Sequence, residues 1–354
     1  MNKNIKEVLK ILSFLSIGLI LLYIVYLKSE STYQAECILK GIAAVDCDFI
    51  GKILSDIKSA NITWILIALS IYLISNIARA LRWNMLLEPL GHKPKFINTI
   101  GILMVGYLTN LGIPRSGEFI KAGMMAKYED FEPEKVMGTI VTDRILDVIS
   151  LLIVIGITMV LSFNKFVGYF ESNDVFSLGI SRMFTLTNGL LFVLGMGILF
   201  VLLWKSREKL LNSKIGQKIK KILLGFWEGI LTIKDVSHPV FFIVLSITIW
   251  ICYFLMTYLM FFCFEPTSGL GPVAGLIVFV FGTLGIVIPT PGGIGTYQFL
   301  ISEALQKLYG LEMSESFSFA NILFFTVQFV NIILGIIMLV ALPIYNKNGK
   351  EKSV

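Results

Sequence analysis

Long apolar runs separated by short charged connections set the pattern of this chain. Runs near full bilayer length fall at 8–27, 62–78, 139–162, 184–204, 240–264 and 317–344, each close to the roughly 20 residues that cross a bilayer as a helix. Two further apolar segments, 97–113 and 271–288, behave differently. The first runs into Pro114, Arg115, Ser116, Gly117 and Glu118, the second into Pro289, Thr290, Pro291, Gly292, Gly293, Ile294 and Gly295, and each is followed by a shorter helix-like stretch. Pro and Gly at that density break a helix and free backbone groups, which hydrocarbon tolerates only where protein or a wet cavity surrounds the break. The pattern therefore predicts an all-α integral membrane protein with about six transmembrane helices and two re-entrant helical hairpins.

The placement of charge orients this layout. The 205–239 connection carries eight Lys/Arg against three acidic residues, 79–95 carries four against Glu88, and the tail adds Lys347, Lys350 and Lys352. All fall on the side of Lys3, Lys6 and Lys10. The 28–61 connection is acidic by one, so the positive-inside bias places it outside, with 164–183, and both termini inside. The apolar part of the first run is too long for a signal peptide and no cleavage pattern follows it, so an uncleaved first helix is expected. Within 205–239, Leu211, Ile215, Ile219, Ile222, Leu223, Phe226 and Ile230 recur at helical spacing beside Lys214, Lys218 and Lys221. That spacing suits an amphipathic helix on the cytoplasmic interface.

The order of segments repeats. A span, a Pro/Gly hairpin entering from inside and a second span fill about 62–162; the same order, entered from outside, fills about 240–344. One membrane domain, 1–354, then contains an inverted repeat, and interrupted segments in corresponding positions of two inverted halves point to a transporter's substrate site.

Composition agrees. The residues AVILMFWYC make up 56% of the 354 and only 15% are charged, against about 45–50% and about 25% in soluble domains. The net charge of +6 is spread over membrane-flanking lysines, with no basic module for nucleic acid. His92 and His238 stand apart from any second ligand at metal spacing, so neither metal nor cofactor is expected. Connections of about 35 residues are too short for a nucleotide domain, which argues against an enzyme. Cys252 and Cys263 lie in an apolar run and read as packing residues. Cys37 and Cys47 share the outside connection, where a disulfide and two free thiols fit the spacing equally.

Charges near the middle of membrane helices need a reason, and here they cluster. Arg79 and Arg82 end the second span, Arg115, Glu118 and Lys121 occupy the first hairpin, and Asp143, Arg144 and Asp147 follow in the next span. Three acids against five bases leave a positive surplus that a phosphate head group would neutralise, and Arg grips phosphate in two places. At the second hairpin, Gly292, Gly293 and Gly295 precede a helix starting near Thr296, whose N-terminal N–H groups favour an anion.

Arg79-Ala-Leu-Arg82-Trp83, Gly106-Tyr-Leu-Thr-Asn110 through Glu118, Asp143-Arg144 with Asp147, and the Pro289–Gly295 turn together resemble the flippase-like transmembrane domain family of lysylphosphatidylglycerol synthases, the membrane half of the multiple peptide resistance factor. The resemblance implies a lipid flippase acting on an anionic or aminoacylated phospholipid or a polyprenyl-phosphate-linked lipid in a bacterial-type inner membrane. Two departures matter. The family's turn is commonly followed by a Glu where this chain has Gln298, with Glu303 further on. No aminoacyltransferase half follows Ile344, so synthase activity is not carried over. The expected partner is membrane lipid, with a second copy or a separate lipid-modifying enzyme as protein partners. The competing readings are a secondary transporter or channel for a small solute or ion, and a membrane-embedded transferase or phosphatase acting on a lipid phosphate.

Overall fold

The computed structural model describes residues 3–42, 47–172, 224–225, 227–288 and 290–351, and every regular element among them is helical. The chain is an all-α membrane protein. Four described helices are long and apolar enough to cross a membrane: Ile62–Leu90, Pro133–Phe163, Pro239–Cys263 and Met313–Lys347. They coincide with four of the expected spans. The span expected at 184–204 and most of the amphipathic segment of 205–239 lie outside the described residues.

Ten helices carry the argument: α1 (Lys3–Leu39), α2 (Phe49–Ser59), α3 (Ile62–Leu87), α4 (Phe96–Gly112), α5 (Ser116–Glu129), α6 (Pro133–Ser172), α7 (Pro239–Leu259), α8 (Pro272–Val287), α9 (Thr296–Tyr309) and α10 (Met313–Glu351). Their ends follow local chemistry. Asn61 caps α3 by accepting from the Thr63 N–H, Pro239 and Pro272 occupy first-turn positions of α7 and α8, and Gly310 closes α9 in the left-handed region, as expected for residues that satisfy or tolerate the orphan groups at helix ends. Inside α6, Ser162 departs from helical geometry, with φ −138° and ψ 27°.

Two features differ from the sequence expectation. The second span does not end at Ala78: α3 runs on to Leu87, which draws Arg79 and Arg82 into the helix interior, where both are buried. The 28–61 connection, for which no helix was expected, also contains one. Asp48 caps the short helix α2, whose Phe49 packs among Val25, Tyr26, Tyr33 and Phe317. Cys37 at the end of α1 is joined to Cys47 before α2 by a disulfide, with a Cα–Cα distance of 6.4 Å.

Each interrupted segment folds back on itself. In the first, Gly117 of α5 packs on Gly106 of α4, where an added Cβ would come within 2.3 Å of the Gly106 carbonyl oxygen. In the second, a Cβ at Gly285 of α8 would lie 2.7 Å from the Tyr297 Cα of α9. Glycine is required at both positions because backbone meets backbone. The tips of the two hairpins touch: Gly292 lies against Leu111, near the end of α4. Around them, α3 packs along α7, α10 against α4, and α6 against α8.

Candidate functional site

The broken backbone at each tip is satisfied by its own side chains, as hydrocarbon surroundings require. At the first, Arg115 adopts the left-handed region at φ 60°, the Ser116 hydroxyl donates to the carbonyls of Ile113 (2.8 Å) and Thr109 (3.1 Å), and the Gly117 N–H donates to Asn110 Oδ1 (2.7 Å). At the second, the Thr296 hydroxyl donates to the Gly285 carbonyl at 2.7 Å and lies 3.1 Å from the Thr290 hydroxyl. The Gly295 N–H donates to Gln298 Oε1 at 2.8 Å, and the Gly293 N–H to the Thr290 carbonyl at 3.2 Å. The N–H groups expected to await an anion at these two glycines are therefore already engaged. Gln298, at the third helical position, acts as a cap.

Behind the first hairpin lies a closed charge cluster. Arg82, 0% exposed, donates to Asp143 Oδ1 through Nε (2.9 Å) and Nη2 (2.6 Å), and through Nη2 to Asp147 Oδ1 at 2.7 Å. Arg79, 5% exposed, donates to Asp143 Oδ2 (3.0 Å), Asp147 Oδ2 (2.8 Å) and the Tyr253 hydroxyl (3.2 Å). The geometry follows from helical spacing. Arg79 and Arg82 are three apart on α3, Asp143 and Asp147 four apart on α6, so each pair shares a face and the two faces meet. Arg144, whose side chain is 42% exposed, pairs with Glu118 Oε1 at 3.0 Å and approaches Asp147 Oδ2 at 3.6 Å. Three arginines and three carboxylates thus pair with one another, with Glu118 Oε2 left buried and without a hydrogen-bond partner.

Two cations are left over. Arg115 is exposed at the hairpin turn, and Lys121 is buried on α5 with its ammonium 5.2 Å from the Tyr107 ring centroid. Neither has a carboxylate at ion-pair distance among the described residues. Of the site residues expected from sequence, Arg79, Arg82, Glu118, Asp143, Arg144 and Asp147 come together, Arg115 stands apart at the turn, and Gly292, Gly293 and Gly295 line the opposing tip.

Between cluster and tip runs a polar line that sequence reading missed. Tyr72, seven residues before Arg79 on α3, donates to Asn331 Oδ1 at 2.6 Å; Asn331 donates to Gln328 Oε1 at 3.3 Å, and Gln328 to the Gly292 carbonyl at 3.4 Å. Glu303, the acid beyond Gln298, is held by Lys28 of α1 at 2.5 Å. A separate apolar groove of about 290 Å³ between α1 and α10, lined by Leu19, Leu22, Tyr23, Tyr26, Phe317 and Asn321, suits hydrocarbon rather than charge. No group of His, Cys, Asp and Glu fit for a metal occurs among the described residues.

Residues 48–335 match the family described as the lysylphosphatidylglycerol synthase TM region. The chain belongs to that family. The match takes in α2 through most of α10, and so both hairpins and every residue of the charge cluster. A UPF0104 membrane protein of Pyrococcus horikoshii is 35% identical over 98 residues, covering 27% of this chain and 29% of that protein. The aligned stretch thus spans under a third of the relative. No solved structure matches the chain. Membership makes this a multi-pass membrane protein of a family tied by name to lipid, and the matched region is the transmembrane region rather than a catalytic domain.

Proposed function

We propose that the chain is a lipid translocase of the cytoplasmic membrane that carries the head group of an anionic or aminoacylated phospholipid, or of a polyprenyl-phosphate-linked lipid, past the meeting tips of two re-entrant hairpins. The observation that carries this reading is the charge cluster: three arginines and three carboxylates set in apolar helices, with two further cations beside a helix break. Charge inside a membrane is retained where something polar passes or binds, and a head group leaving water must exchange its hydration for protein partners. Arg144, the most exposed arginine of the cluster, and Arg115 at the turn are the principal contacts; Glu118, Asp143 and Asp147 orient the cluster, while Arg79 and Arg82 anchor it.

The architecture in this proposal is six spans and two re-entrant hairpins in an inverted repeat, with both termini cytoplasmic. Helices of 17 and 14 residues in the first hairpin, and of 16 and 14 in the second, extend about 21–26 Å at 1.5 Å per residue, short of the roughly 30 Å hydrocarbon core. The packing also exchanges as a two-fold relation requires: α3 meets α7, its counterpart, while α10 meets the first hairpin and α6 the second.

Mass spectrometry of lipid that co-purifies with the protein tests the reading. A phosphate-bearing lipid enriched over its share of the host membrane, and lost on Arg144→Gln, is the expected result. Co-purified lipid that mirrors bulk composition in both proteins counts against a head-group site. Chemically altered lipid would favour a transferase or phosphatase.

A further inference from the structure

Glu118 lies in the first turn of α5. Its Oε1 accepts from Arg144 Nη2 at 3.0 Å, while its Oε2 is buried and accepts from nothing. Around it, α5 packs on α4 and α6. From α6 come Arg144 and, beyond it, Asp143 and Asp147, both held by Arg79 and Arg82 of α3; α4 brings Tyr107. On α5 itself, Lys121 follows one turn on with its nitrogen against the Tyr107 ring, and Arg115 is exposed at the N-cap. None of these donates to Oε2. A buried carboxylate oxygen left unmet is costly, and the site favours whatever relieves it. A metal ion does not fit, since hard cations take several oxygen ligands and no group of His, Cys, Asp and Glu suited to one occurs among the described residues. A proton fits, because it removes the charge and needs no further ligand.

Arg144 gives that proton a consequence. Both of its terminal nitrogens are engaged, Nη2 on Glu118 and Nη1 toward Asp147 Oδ2 at 3.6 Å, so a two-pronged grip on a phosphate requires release from Glu118. Release alone strands Glu118 as a buried, unpaired carboxylate, the costly way to break an ion pair. We propose that Glu118 is a proton-binding site linked to anion binding: a proton taken from water onto its carboxylate frees Arg144 for a phosphate, and departure of the anion returns the proton to water as the Arg144 pair re-forms. This rests on reading the cluster as a head-group site, and it supplies that site with an energy source. An anion that travels with a proton is driven by the proton gradient. By linkage, proton and anion strengthen each other's binding by the same factor. One linked proton raises anion affinity by up to about tenfold for each unit fall in pH.

Full-length protein in detergent, titrated calorimetrically with dihexyl phosphate near neutral pH in buffers of differing ionisation heat, counts the protons taken up per anion bound. The probe is a phosphodiester that stays singly charged, so it contributes no proton of its own. Wild type is expected to take up about one proton per anion and to bind up to about tenfold more weakly for each unit rise in pH. Glu118→Gln, which mimics the protonated acid, should bind at least as tightly as wild type, with no uptake and no pH dependence. Lys121→Met and His92→Gln, which remove the neighbouring amine and the imidazole beside Glu129, should keep the wild-type count. Anion binding without proton uptake, uptake that survives Glu118→Gln, or uptake lost with Lys121→Met overturns the inference and leaves the head-group site standing. Should Glu118→Gln fail to fold, Glu118→Leu is judged by its loss of uptake, and a wild type that takes up no proton refutes the inference without any variant. If the anion binds at no pH, the head-group reading falls and the inference with it. If binding carries its proton but wild type moves no lipid in vesicles, the proton site stands and the translocase reading falls.

Discussion

Replacing Asp143 by Asn isolates the central contact of the cluster. Asp143 accepts three guanidinium hydrogen bonds, at 3.0 Å from Arg79 and at 2.9 and 2.6 Å from Arg82. The amide keeps one acceptor oxygen but turns an NH2 group toward the guanidinium ions, and it leaves both buried arginines to Asp147 alone. Breaking a buried ion pair from one side costs about 3–5 kcal/mol, mostly because the surviving charge stays buried. Arg82→Met should cost a similar amount, and the double variant less than the sum, with a coupling of about 0.5–3 kcal/mol. Unfolding in mixed micelles of increasing dodecyl sulfate content, followed by circular dichroism, measures all four corners of the cycle. The surface pair Lys40–Glu312 is the control, and Glu312→Gln should change stability by less than about 1 kcal/mol. If Asp143→Asn unfolds within about 0.5 kcal/mol of wild type, the arginines are hydrated at an interface rather than locked in a buried cluster.

Three further outcomes follow from particular contacts. Gly117→Ala, with its Cβ 2.3 Å from the Gly106 carbonyl oxygen, should destabilise by about 1–3 kcal/mol or more, whereas Gly123→Ala, with nothing within 4 Å, should be neutral or stabilising by up to about 1 kcal/mol; the same micelle titration separates them. Cys37 and Cys47 should stay unreactive to maleimide in intact, unreduced spheroplasts and react after reduction; closure of a loop this short is worth about 3 kcal/mol by chain entropy. Single cysteines at Lys58 and Lys234, both exposed, should label from opposite sides of the membrane, and labelling of both from outside would overturn the assigned orientation.

The long helices were legible because apolar length and flanking charge are strong, local signals. The hairpins were legible as breaks, since Pro114 and the Pro289–Gly295 run mark where helices stop. The extent of α3 was not: charge at Arg79 and Arg82 reads as an end only if no partner is known, and the partners lie on α6, over sixty residues away in sequence. The stripe of Tyr72, Ser75, Asn76, Arg79 and Arg82, spaced at threes and fours through an otherwise apolar helix, carried the missing signal, as did Gln328 and Asn331 on α10. A polar stripe of that kind in a membrane helix marks a face turned inward. The state of the glycine tip was harder still, because whether an N–H is free depends on the Gln298 rotamer and not on the glycines themselves.

The central claim is that this chain moves lipid across a bilayer through its charge cluster, and transbilayer movement of a labelled anionic phospholipid in reconstituted vesicles tests it most directly. The account predicts movement faster than in protein-free vesicles, crippled by Arg115→Gln or Arg144→Gln in protein that remains folded and monodisperse, and only partly restored by Lys at either position because the two-pronged grip is lost. Wild-type vesicles no faster than protein-free ones would contradict the claim, and wild-type rates in both Gln variants would contradict the site.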